Sequence, residues 1–166
     1  MIENKIEFLK EYLNKIKTDV NLKNISDFLD WFYEKANLHF NEKKIDLKLN
    51  KGEIYLMNLG RNIGSELNKN RPCIIYSNYY FNNGNNVTIV PLKTYKGKIN
   101  RNLNIFIEKN NTNKLESNSI VDISGIKQIS KKRIGFKIGF MEEKSIEKID
   151  KKIIKFLGIK KQTVTK

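Results

Sequence analysis

Arg71 is followed at once by Pro72 and then by Cys73-Ile74-Ile75-Tyr76, four residues suited to the interior of a sheet. Pro72 fixes φ and removes an N–H, so the backbone leading into that strand is stiff. A guanidinium mounted there is either a surface cation at a strand start or a group held for use. A held guanidinium suits a phosphate, because its planar fork offers parallel donors and never loses its charge. Other chemistries are thinly supplied. His39 is the only histidine, so a two-histidine proton relay and a histidine-rich metal site are both ruled out, and within NLHF it reads as a structural or surface residue. Cys73 has no evident histidine partner and runs straight into Ile-Ile, which marks a small core residue. Neither GxGxxG nor GxxxxGK[ST] occurs, and the carboxylates of the β-rich part are too scattered for a two-metal centre. Arginine, hydroxyls and lysine remain. Such groups can act on a phosphodiester whose own 2′-hydroxyl is the nucleophile. The protein then has only to align the attacking and leaving oxygens, balance the phosphorane charge and move protons.

The elements that must hold these groups fall into two kinds. The first 50 residues read as helices. Ile2, Ile6, Leu9, Leu13, Ile16 and Val20 recur at spacings of three or four, and Ser26 is placed to cap a second helix containing Phe28, Leu29, Phe32, Tyr33 and Ala36. No Pro or Gly precedes Gly52. This segment is either a hairpin packed on its own chain or an arm for dimerisation or partner docking. From Gly52 the rhythm shortens to β-type runs separated by turn signals: EIYLMNL, CIIYS, VTIVPL, LNIFIE, SIVDI and IGFKIGF. A last helix is expected from about Glu142, with Ile146, Ile149, Ile153 and Phe156 on its apolar face and Gly158 at its C-terminal cap. Five or six short strands and a closing helix predict a small, strongly bent sheet or barrel. The expected organisation is a helical extension over 1–48 and a β domain over 49–166.

The net charge is +14, and its placement is informative. Residues 1–50 balance nine lysines against nine carboxylates, so the whole excess lies in the remaining 116 residues. A lopsided positive field points to a polyanionic partner, most simply nucleic acid. Compositional drift toward Asn, Lys and Ile is the alternative source of the lysines. No apolar run reaches 18 residues, the N-terminus has no signal-peptide pattern, and one cysteine forms no disulfide framework, so the expected setting is the reducing cytoplasm, away from a membrane.

One family draws these features together. From KGEIYLMNLGRNIGSELNKNRPCIIYSNYY to the final helix, about 110 residues, the chain resembles the MazF/PemK/Kid toxins of bacterial toxin–antitoxin systems. The resemblance rests on ordered signals. Lys51-Gly52-Glu53 opens the first strand and Gly64-Ser65-Glu66 lies in the first loop. Arg71-Pro72 starts an apolar strand, and IVPLKT ends in Thr94. SIVDISGIKQIS is followed by KKRIGFKIGFMEEKSIEKIDKKIIKFLGI, which is similar to the family's basic segment, glycine-bearing strand and closing helix. Where many members carry an acidic-Gln-hydrophobic-Arg run, this chain has Ser124-Gly125-Ile126-Lys127. The first 50 residues have no counterpart in the short members.

The resemblance implies an α+β fold, a small SH3-like β-barrel with a C-terminal helix, usually as a homodimer, here carrying an N-terminal helical extension. It implies sequence-specific, metal-independent cleavage of single-stranded RNA, with no cofactor, leaving 2′,3′-cyclic phosphate and 5′-hydroxyl ends. Arg71 and Thr94 stand at the catalytic positions, and Ser65 and Glu66 in the loop that covers substrate. RNA contacts are further expected from Lys51, Asn78, Lys93, Tyr95, Lys96, Lys98, Arg101 and Lys127, the cations by charge and Tyr95 by stacking. The implied protein partner is a cognate antitoxin with an acidic, disordered tail. The same barrel would also serve a toxin that inhibits a protein such as gyrase, or a nucleic-acid binder without catalysis.

Overall fold

A computed structural model describes residues 1–18, 21–41 and 45–159. The chain forms two compact units, which part between residues 43 and 44. Residues 45–48 therefore go with the β unit rather than with the helices, and Leu47 and Leu49 pack in its interior. The first unit holds α1 (Ile2–Ile16) and α2 (Leu22–Phe40). Val20 falls outside the described residues. Ser26 does not cap α2, because the apolar repeat already begins at Leu22 and carries the helix through Ser26. Asn21 takes the cap position instead. No helix among the described residues is long and apolar enough to cross a membrane.

In the second unit seven strands form one antiparallel sheet in the order β4-β5-β3-β2-β1-β7, with β6 also on β3. They are β1 (Glu53–Asn58), β2 (Asn70–Ile75), β3 (Asn86–Thr94), β4 (Asn104–Ile107), β5 (Ser119–Asp122), β6 (Lys127–Ser130) and β7 (Ile134–Phe140), followed by α3 (Glu143–Phe156). Both sheet faces are covered, so the strands read as near-continuous apolar runs. Along β1, β2 and β3, Ile54, Ile74, Val90 and Leu92 point into one cluster with Met141, Ile149 and Ile153. The alternate residues Tyr55, Met57, Cys73, Ile75, Val87 and Ile89 point into the other, with Leu49, Leu59 and Ile129.

Helix α3 ends as the sequence predicts, with Gly158 at φ +68, a conformation that glycine reaches without a Cβ penalty. Its buried face is narrower than expected, since Phe156 is exposed. A polar clamp adds to its apolar face. Asp150 accepts hydrogen bonds from Tyr76 Oη (2.7 Å) and Lys51 Nζ (2.8 Å), and Lys51 lies 4.5 Å from the Tyr76 ring centre. Burial, together with that hydrogen bond to Asp150, pushes the Tyr76 hydroxyl pKa well above its ordinary value. Lys131 is buried, and its ammonium donates to the Leu47 and Asn82 carbonyls, tying the entry segment to the turn before β3.

The sheet curls as expected but is not closed. β4 and β7 stand at its two ends. Where a barrel would have a ladder, the Phe140 N–H donates to the Thr112 carbonyl at 3.1 Å. Gly139 lies so close to Asn113 that a Cβ there would collide with the Asn113 carbonyl oxygen.

Candidate active site

The site arises where β2 and β3 separate. Ile75 O accepts from Gly52 N, so odd-numbered residues of β2 turn their backbone groups toward β1 and even-numbered ones toward β3. Pro72 is even-numbered and has no N–H to offer. The β2–β3 ladder accordingly stops at the Cys73–Pro91 pair. Beyond it β3 changes its outer partner from β6, which holds Asn86–Ile89, to β5, which holds Leu92–Thr94. Pro91 sits at that switch. The strands diverge and leave a cavity of about 490 Å³, lined by Arg71 from β2, Lys93 and Thr94 from β3, Glu116 and Ser117 from the connection before β5, and Phe136 from β7. Arg71 and Thr94 therefore share one groove.

Arg71 lies within β2 and not ahead of it, opposite Met57. Its Nε donates to the Asn68 carbonyl at 2.9 Å, the guanidinium's only hydrogen bond among the described residues, and the terminal nitrogens are left to the groove. Asn68 is itself held: its Oδ1 accepts from Asn62 N at 2.6 Å, while Asn62 Nδ2 donates to the Leu59 and Leu67 carbonyls. Lys69, at φ +68, closes the loop by donating to the Gly60 carbonyl. The loop between β1 and β2 thus carries Ser65 and Glu66 at its tip and anchors Arg71 at its foot.

A second cavity of about 320 Å³ collects Ser65, Glu66, Ser124, Gly125 and Lys127, joining the predicted covering loop to the late run. Asp122 lines this second cavity and accepts from Lys93 of the first, Nζ to Oδ2 at 2.6 Å. Ser124 Oγ also donates to Asp122, at 2.7 Å. The wall between the cavities is therefore an ion pair, and Lys93 is partly neutralised by a buried carboxylate. Gly125 packs against Pro91: a Cβ there would stand 2.7 Å from Pro91 Cγ. A side chain at this position would have to displace the Pro91 ring.

The other predicted RNA contacts are dispersed. Lys51 is committed to Asp150. Asn78 caps a short 3-10 turn at the far end of β2, accepting from Tyr80 N at 3.3 Å. Tyr95 stands edge-on to Phe106 with ring centres 5.0 Å apart. Lys96, Lys98 and Arg101 are exposed on the connection after β3.

Sequence reasoning missed several members of the site. Phe136 lines the main cavity although 67% exposed, a position that the alternation of IGFKIGF could have flagged. Lys137 lines it too, and Glu53 Oε1 accepts from Lys137 Nζ at 2.6 Å. Burial alone would raise the Glu53 carboxyl pKa, but the Asn50 N–H and Lys137 together hold it below its ordinary value. The Lys137 ammonium pKa is raised in return, chiefly by its hydrogen bond to Glu53. Asn62 and Asn68 carry no signal beyond the turn-forming character of asparagine.

The family model of the PemK-like, MazF-like toxins of type II toxin–antitoxin systems matches residues 50–157. Solved structures show the same fold at low identity. MazF from Deinococcus radiodurans superposes with a TM-score of 0.59 at 14% identity, over 69% of this chain and 100% of that one. An endoribonuclease in complex with its cognate antitoxin, from a mycobacterial species, gives 0.54 at 20% identity, over 68% and 98%. The Mycobacterium tuberculosis toxin MazF-mt6 gives 0.52 at 19% identity, over 66% and 99%. A search of curated protein sequences found no match.

Proposed function

The chain belongs to the PemK-like, MazF-like toxins of type II toxin–antitoxin systems, and on that premise we propose that it is a cytoplasmic toxin endoribonuclease that cleaves single-stranded RNA without a metal, leaving 2′,3′-cyclic phosphate and 5′-hydroxyl ends. The observation that supports this reading is the placement of Arg71 and Thr94 in one groove, on strands that part at Pro72 and Pro91. In the reaction the 2′-oxygen attacks phosphorus, the bond to the 5′-oxygen breaks, and the proton leaving the 2′-hydroxyl ends on the 5′-oxygen. Arg71 binds the scissile phosphate through its terminal nitrogens and stabilises or shuttles that proton. Thr94 hydrogen-bonds the 2′-hydroxyl or a phosphate oxygen. Ser65, Glu66 and Lys127, around the second cavity, contact flanking nucleotides.

The test is incubation of the purified protein with a long single-stranded RNA in EDTA. Discrete fragments with 5′-hydroxyl ends are expected. Removing one preorganised donor costs roughly 10²–10³ in rate, so Arg71→Ala should lose at least that much while melting as the parent does. Intact RNA with a mobility shift would favour a binding barrel instead, and no effect on RNA with blocked supercoiling would favour a gyrase-type inhibitor. The protein partner we propose is an antitoxin whose acidic tail enters the Arg71 groove, and the β unit itself is proposed to form the family's homodimer.

A further inference from the structure

The two-helix unit carries more apolar surface than two helices can hide. Along α1 the residues Ile2, Ile6, Leu9, Leu13 and Ile16 are spaced four, three, four, three. Along α2 Leu22, Ile25, Leu29, Phe32 and Ala36 are spaced three, four, three, four. That alternation averages 3.5 residues, the repeat of a seam that lies against another helix. Phe8 and Tyr12 widen the first seam, and Phe28, Tyr33 and Phe40 the second. None of these residues is buried. Phe8, Tyr12, Phe28, Phe32, Tyr33 and Phe40 are each half exposed or more, Phe40 by 79%. A covered aromatic side chain hides about 150–250 Å², so these rings alone leave roughly 600 Å² open. Summed over both helices, that approaches the ~800 Å² that each partner gives to a standard interface.

Charge selects the occupant. Residues 1–43 set seven lysines against eight carboxylates, so two copies of this unit meet with almost no net repulsion. Residues 51–166 hold the whole +14, and an acidic polypeptide is drawn there instead. Helices α1 and α2 bury no residue between them, and a second pair of the same kind supplies the missing interior. We propose that the two-helix unit pairs with the same unit of a second copy of this chain, seam to seam, as a four-helix bundle. The pairing is independent of whether the β unit cleaves RNA.

The test uses full-length protein. Phe28→Glu with Phe32→Glu should weaken self-association, read by light scattering as a rise in the concentration at which the parent mass is reached, with helical circular dichroism retained. Mixing this variant with a Phe28→Lys, Phe32→Lys variant should restore the parent mass, because the same face meets itself with opposite charge. Cross-linking gives a second readout that needs no disruptive change. Cys73 is buried, and burial pushes its thiol pKa up to about 12, so it stays out of thiol chemistry near pH 8. Phe32→Cys should then oxidise to a covalent dimer, and Lys23→Cys, on the polar side of α2, should not. Identical dilution curves for parent and charge variants, a mixture that fails to recover, or a Phe32→Cys chain that stays unlinked would overturn the proposal in favour of another occupant.

Discussion

At residue 125 the run after β5 meets β3: a Cβ on Gly125 would stand 2.7 Å from Pro91 Cγ. Close by, Lys93 pairs with buried Asp122, and the Ser124 hydroxyl donates to the same carboxylate. Restoring the family residue with Gly125→Gln should therefore destabilise the fold by about 1–3 kcal/mol, the usual cost of overpacking. Urea midpoints would measure it, and Pro91→Ala in the same chain should recover part of the loss, since residues in contact do not add independently. None of this was legible from the run Ser124-Gly125-Ile126-Lys127 alone, because its neighbour lies 34 residues earlier in the sequence. The pairing of Lys93 was hidden for the same reason, and a lysine beside Thr94 read naturally as a hand for phosphate.

At the scale of elements, the periodic patterns were readable and the exceptions were short or locally ambiguous. Strands β1, β3, β4, β5 and β7 announced themselves through β-branched and aromatic runs. Strand β6 was missed because its four residues hold one apolar side chain, Ile129, and owe their pairing to β3. The apolar run CIIYS marks β2 only from Cys73, yet Asn70 and Arg71 already pair with β1, whose side of the ladder does not need the proline's N–H. The cations after β3 make a prediction at this level. Lys96 and Lys98 are exposed on a connection adjoining Thr94. If each touches a backbone phosphate, Lys96→Gln and Lys98→Gln should each reduce the slope of log K against log salt by about 0.7 for a single strand. The measurement is titration of a non-cleavable single strand at several salt concentrations, and an unchanged slope would make that connection a solvated loop.

For the molecule as a whole, the titrating groups set a window of stability. The Glu53 carboxyl is held below its ordinary value, so it contributes stability above that value and loses it as pH falls through the folded one. Tyr76 and Lys137 are shifted upward, so their contributions are complete at neutral pH and fade as pH rises through their folded values. Urea midpoints should decline on both sides of neutrality, and Glu53→Gln should flatten the acid side. The unclosed sheet adds a mechanical consequence. The connection from β4 to β5, which meets β7 through Thr112, and β7 itself are the margins of that opening and also two walls of the Arg71 groove. The Phe140–Thr112 hydrogen bond is the clasp between these margins, and under the proposed function loosening it would widen the groove. Gly139→Ala, which forces a methyl against the Asn113 carbonyl, would jam the clasp ajar, and amide exchange at Phe140 would report it.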